Sequence, residues 1–181
     1  MEYDLIRLWL GMISDMGNAA LGRILDYFGG PEELWNVPEH VLREMLTEKQ
    51  SERILCTRDE KKIIAYKNRL KERNITYIYP GHPYFPEELL NIPDCPRLLY
   101  ARGRVEELAL NRPGIAVVGA RKASAYGKEI ARSFVSKLAS YQTNIISGLA
   151  AGIDGTAQRA AVETENGFTI AVLGCGINIC Y

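Results

Sequence analysis

The sequence predicts an α/β chain, in which a small helical N-terminal domain precedes a parallel β-α-β-α-β core, half of a doubly wound sheet. Three observations carry this. Apolar residues recur at helical spacing through the first 75 positions. From residue 113 onward, short apolar runs alternate with amphipathic ones. Each of the three runs read as strands then ends in glycine: Gly119, Gly148 and the Gly174/Gly176 pair.

The helical part is read over residues 1–74. "LIRLWLGMI" opens it, followed by "GNAALGRILDYFGG", where Ala20, Ile24, Leu25 and Phe28 share one helical face. Gly29-Gly30 stops that helix, and Pro31 suits the first position of the next, "PEELW". Pro38 is expected to open another in "PEHVLREML". "RDEKKIIAYKNRLKERN" is a longer helix with Ile63, Tyr66 and Leu70 as its buried stripe, its charges forming a solvated face. "SDMGNAALGRILDYFGG" has the outline of a helix-hairpin-helix, a motif whose turn amides meet DNA phosphate. Asn18 and Ala19 stand where its second glycine is required, so the segment is read as part of a plain helical bundle with only a degenerate resemblance to that motif.

Residues 75–112 read as a connecting segment packed on the core, with strands in "ITYIYPG" and "RLLYARG" separated by a proline-punctuated stretch. His82, between Gly81 and Pro83, is a loop residue. Residues 113–181 form the core. "GIAVVG" is a continuous apolar run, expected to be a strand buried on both faces. The helix after it carries Ile130, Phe134, Val135 and Leu138 at helical spacing. "TNIISG", "GIDGTAQRAAVE" and "FTIAVLGCG" supply the next strand, helix and strand.

Composition narrows the class. The chain has 181 residues, 47% hydrophobic and 24% charged, which fits a soluble globular protein. No apolar run approaches the roughly 18 residues of a membrane span. "MEYDLIRLWL" carries acids where a secretory signal needs cations, so a cytoplasmic location is expected. Cys56, Cys95, Cys175 and Cys180 form no C-x-x-C pair and are expected to be free thiols. The net charge of zero hides an asymmetry: residues 111–181 hold 7 Lys plus Arg against 4 Asp plus Glu, a balance of +3. The segment with the glycine exits is thus the basic one.

In an open parallel sheet, ligands bind along the carboxyl ends of the strands. Glycine there lets main-chain amides face an anion, and helices beginning just beyond add their positive ends. The details exclude familiar nucleotide sites. A dinucleotide fold needs G-x-G-x-x-G after the first strand and an acid ending the second; here the first is followed by Gly119-Ala120-Arg121-Lys122, and the second ends in Ser147. Gly127-Lys128-Glu129 lacks the spacing and hydroxyl of a P-loop. What remains is Arg121 at the strand exit, able to give a phosphate two parallel hydrogen bonds. Lys122 and Lys128 add charge and Ser124 a hydroxyl; Ser147 and Gly148 form a second polar exit. Asp154 is expected to cap its own helix. No acid is paired with a base, so the edge reads as a holding site with no catalytic residue, metal or cofactor.

Four segments together, "YFPEELLNIPDCPRLLYARG", "GIAVVGARKASAYGKEIA", "IISGLAAGIDGTAQRAAV" and "TIAVLGCGINICY", resemble the DNA processing protein A (DprA/Smf) family over about residues 75–181. The helical front is similar to that family's small N-terminal (SAM-like) domain. The resemblance implies a Rossmann-like core that binds single-stranded DNA without sequence preference and delivers it to the RecA recombinase in natural transformation, as a homodimer at full length and with no membrane partner. Carried over by position, Gly119, Arg121, Lys122, Ser124, Gly127 and Lys128 would grip backbone phosphate, with Ser147, Gly148, Gly152, Gly174 and Gly176 shaping the pocket. Two departures stand out. The family's G-I-D-x-x-A-H run has Gln158 here in place of histidine, which removes any ionic role. The chain also stops at Tyr181, just after the third strand, so the core is expected to be incomplete and the chain a fragment. The competing reading is a phosphoribohydrolase of the lysine-decarboxylase-like fold, whose P-G-G-x-G-T-x-x-E signature is expected downstream of Tyr181, where it would separate the two. A third is a pure interaction module.

Overall fold

The computed structural model describes residues 2–13, 16–110 and 112–179. The chain divides into two compact units, residues 1–109 and 110–181.

Among the described residues the first unit holds six α-helices: α1 (Tyr3–Met12), α2 (Asn18–Phe28), α3 (Pro31–Asn36), α4 (Glu39–Met45), α5 (Glu48–Thr57) and α6 (Glu60–Glu72). Their starts and stops follow from particular residues. Gly29, with φ of 92°, ends α2 in the left-handed region and donates to Leu25 O, and Pro31 is the first residue of α3. Pro38 caps α4 instead of opening it. Thr47 and Gln50 form a reciprocal capping box on α5, and the Asp59 carboxylate accepts from the Lys61 and Lys62 amides at the start of α6.

Trp9 is fully buried at the centre of this unit, its ring edge-on to Trp35 at 4.9 Å. Its indole N–H donates to Thr57 Oγ1 at 3.0 Å, satisfying the one polar atom the ring brings inside. Ile63 and Leu70 are buried as expected of α6, while on α2 the buried face is Leu21, Ile24 and Leu25, with Ala20 and Phe28 at its margin. Two short strands, β1 (Thr76–Ile78) and β2 (Leu99–Ala101), pair antiparallel. Ile75, Tyr77, Leu98 and Tyr100 pack on the helical cluster. Residues 75–109 thus fall within the first compact unit.

The second unit is a parallel sheet in the order β3-β4-β5, formed by β3 (Gly114–Ala116), β4 (Asn144–Ser147) and β5 (Phe168–Ala171), with α7 (Ala125–Ser140) and α8 (Ile153–Glu163) as crossovers. The register aligns Ile115, Ile145 and Thr169 across the sheet. Ile145 is fully buried among Val135, Ala139, Ala157, Ala160 and Ala161, so this face carries both helices. The other face has Ala116, Ile146 and Ile170 in register, with Val118 and Val172 two residues beyond, and neither α7 nor α8 packs on it.

Two expectations change here. β3 is exposed along its whole length, because it is an edge strand with a neighbour on one side only. On α7 the buried stripe is Val135, Leu138 and Ala139, whereas Ile130 and Phe134 are exposed, Phe134 at 65%. Cys56, Cys95 and Cys175 are free thiols, and Cys180 lies outside the described residues. Among the described residues no helix is long and apolar enough to cross a membrane, and no group of acids, histidines and cysteines is placed to hold a metal.

Candidate functional site

The carboxyl ends of β3 and β4 meet the N-terminus of α8. Val117 continues the sheet by donating to Ile146 O, after which the chain turns through Gly119, Ala120, Arg121 and Lys122 toward α7. That turn is fastened to α8. The Ile153 amide donates to Ala120 O at 3.2 Å. Gly152, with φ of 95°, caps α8 so closely beneath the turn that a Cβ there would lie 2.1 Å from Ala120 O and 2.5 Å from Arg121 O. A Cβ on Gly119 would in turn meet Ile153 Cγ1 at 2.7 Å, and one on Gly127 would touch Ser124 Oγ and Ile153 Cδ1. Glycine is required at 152 by conformation and at 119 by space.

Asp154 joins the two exits. It is buried at 7% exposure, and its carboxylate accepts from the Gly119 amide through Oδ1 at 3.1 Å and the Gly148 amide through Oδ2 at 3.3 Å. The expected cap of its own helix is absent: Gly152 has no side-chain cap, and the carboxylate points across to the strands. These two amides are consequently engaged, where the sequence suggests bare donors. Ser147 is likewise committed, its buried hydroxyl donating to Val117 O at 2.6 Å and tying the exit of β4 to that of β3. Ser124 caps α7, accepting from the Gly127 amide at 3.1 Å.

The cations present a different picture. Arg121, Lys122 and Lys128 are all exposed, and no described residue pairs with them. The structure thus brings together Gly119, Arg121, Lys122, Ser124, Gly127, Ser147, Gly148 and Gly152 around one rim, with Lys128 in the first turns of α7. Gly174 and Gly176 follow the end of β5, just past which the Val172 amide donates to Ser147 O. Nothing lies within 4 Å of a Cβ built on Gly174, and Gly176 turns locally, accepting from the Ile179 amide. Gln158 is no part of the rim. It is buried against β5, donating to Thr169 Oγ1 and Ile170 O at 3.2 Å each, one helical turn beyond Asp154.

Sequence reasoning missed the two hydrogen bonds that Asp154 accepts and the strand-bridging hydroxyl of Ser147. An acid two residues after a helix-capping glycine faces back toward the sheet as readily as toward its own amides. Its partners are 35 and 6 residues away, beyond the reach of a local pattern.

Fold and site together define a class: a parallel α/β sheet edge that presents unpaired cations at a strand exit, with a buried carboxylate turned inward. Comparison makes the class specific. Residues 76–181 match the family described as DNA recombination-mediator protein A, and the chain belongs to that family. It is 31% identical over 179 residues to Protein Smf of Synechocystis sp. (strain ATCC 27184 / PCC 6803 / Kazusa), covering 96% of this chain and 45% of that protein. It is 39% identical over 133 residues to Protein Smf of Escherichia coli (strain K12), covering 74% and 34%. DNA processing protein DprA of Bacillus subtilis (strain 168) is 32% identical over 139 residues, covering 69% and 46%. The chain therefore spans less than half the length of these relatives. The X-ray structure of DNA processing protein A from Streptococcus pneumoniae shares the fold, with a TM-score of 0.71 at 24% identity, covering 96% of this chain and 58% of that one.

Proposed function

We propose that this chain binds single-stranded DNA without sequence preference, holding successive phosphates on the rim formed by Arg121, Lys122 and Lys128. It does so within a mediator that delivers the strand to RecA recombinase in natural transformation, dimeric at full length and acting in the cytoplasm. One observation carries the reading: Arg121 is exposed and unpaired on a turn that Gly152, Ile153 and Asp154 hold against α8. A guanidinium presented from a fixed main chain loses little freedom on forming its paired hydrogen bonds to a phosphate. Neighbouring lysines suit a chain of phosphates better than a single one.

The hydrolase reading gains nothing from this geometry. The carboxylate at the strand exits is bonded to two amides and faces no base. The protein is accordingly read as a binder rather than an enzyme.

Fluorescence anisotropy with a labelled oligonucleotide tests the proposal. Arg121→Ala is expected to weaken binding by about tenfold or more, the cost of one charge-assisted contact. The logarithm of affinity is expected to fall with the logarithm of salt concentration, with a slope of about 2 to 3 if three cations each meet a phosphate. Unchanged affinity in a folded Arg121→Ala protein, or a flat salt response, defeats the assignment.

A further inference from the structure

We infer that Asp154 is the resident anion of the strand-exit crevice: its carboxylate occupies the two main-chain amides that a ligand phosphate would otherwise take, and so sends the phosphates of a nucleic acid to the cationic rim outside. What the rim holds rests on the function proposed above; what the carboxylate does rests on geometry alone.

In doubly wound sheets an anionic ligand enters at the strand exits, where glycine amides and the start of a helix point at it. The same elements are present here, and they are already satisfied. Oδ1 of Asp154 accepts from Gly119 at the exit of β3, and Oδ2 from Gly148 at the exit of β4. The carboxylate sits in the first turn of α8, where the helix dipole favours negative charge. Ile153 fills the space beside Gly119, within 2.7 Å of where a Cβ would stand. A mononucleotide or pyrophosphate entering the crevice would have to displace a buried carboxylate and share its surroundings, like charge against like.

A polynucleotide meets no such obstacle. Arg121, Lys122 and Lys128 reach outward from the rim, so a strand can be held without entering. Asp154 is on this account a positioning residue. It touches no phosphate and acts through Gly119, two residues before Arg121, by fixing the turn that aims the guanidinium. It also separates two kinds of ligand: a free nucleotide, which needs the inner amides, and a strand, which needs the outer cations.

The test uses isotope-labelled protein, reading amide exchange and chemical shift at Gly119 and Gly148 without DNA, together with oligonucleotide affinity. In the unaltered protein both amides are expected to be protected and unmoved by millimolar pyrophosphate. Asp154→Asn, which keeps the shape with one carbonyl acceptor, is expected to free one amide and to weaken oligonucleotide binding by about tenfold. Asp154→Ala is expected to free both amides and make them responsive to pyrophosphate. Should the alanine variant fail to fold, as circular dichroism would reveal, the asparagine variant and the pyrophosphate titration decide alone. Pyrophosphate shifting both amides in the unaltered protein overturns the inference, as does an asparagine variant with both amides protected and affinity unchanged. If the unaltered protein binds no oligonucleotide, the proposed function fails, and the exchange and pyrophosphate measurements still decide the role of Asp154.

Discussion

Gly152 shows how much of the rim depends on a missing atom. Its φ of 95° lies where L side chains are rare, and a methyl group there would enter the space of two carbonyl oxygens of the turn carrying Arg121. Gly152→Ala is expected to destabilise the second unit by about 3 kcal/mol, combining backbone strain with overpacking. It is also expected to weaken oligonucleotide binding although every cation is retained. Urea titration followed by circular dichroism, beside anisotropy on the same variant, checks both. The residue types of this rim were readable in the sequence: glycines where β3 and β4 end, arginine after the first. Their satisfaction was not. Whether an amide is bare or bonded depends on Asp154 folding back across 35 residues, and no spacing rule encodes that.

At the level of elements, the first unit is pinned by a cluster at the start of α1. Asp4 accepts hydrogen bonds from Lys67 on α6, from Tyr77 on β1 and from Tyr79 just after it. Burial alone would raise the carboxyl pKa, but the hydrogen bonds from Tyr77, Lys67 and Tyr79 and the lysine charge outweigh it and hold Asp4 below its usual 3.8. Burial, then the bond to Asp4, pushes the Tyr79 phenol up to about 12. The signs oppose. A lowered carboxyl binds fewer protons folded than unfolded, so its stabilisation holds above the ordinary value and is lost as pH falls through the folded one. A raised phenol stabilises below its ordinary 10.0 and loses that contribution as pH rises toward 12. Urea midpoints followed by tryptophan fluorescence are expected to decline below about pH 4 and above about pH 10, and Asp4→Asn to flatten the acidic limb. Trp9 and Trp35 both lie in this unit, so the signal reports it directly.

Most helices and strands were legible one by one, through proline starts, glycine stops and apolar stripes. The errors have a common source. "GIAVVG" has the composition of a strand covered on both faces, and Ile130 and Phe134 have the spacing of a buried stripe, yet apart from the half-buried Val117 these residues are exposed. Hydrophobicity states that a residue favours burial, and only the arrangement of neighbours states whether burial is supplied.

For the whole molecule, the two units keep separate hydrophobic clusters, Trp9 and its neighbours in one, Ile145 and the alanines of α8 in the other. The open face of the second unit then sets its behaviour in solution. Val118 is 75% exposed and Val172 64%, beside a strand that pairs on one side only among the described residues. Self-association that grows with protein concentration is expected, visible as rising light scattering. A lysine in place of Val118 is expected to suppress it while leaving the Arg121 turn in place. Because an unpaired edge presents peptide rather than a lock of particular side chains, it joins with whatever extended chain arrives first. Purity and dilution will therefore govern how the protein behaves at the bench as much as temperature does, and crowding by its own copies will compete with every ligand offered to it.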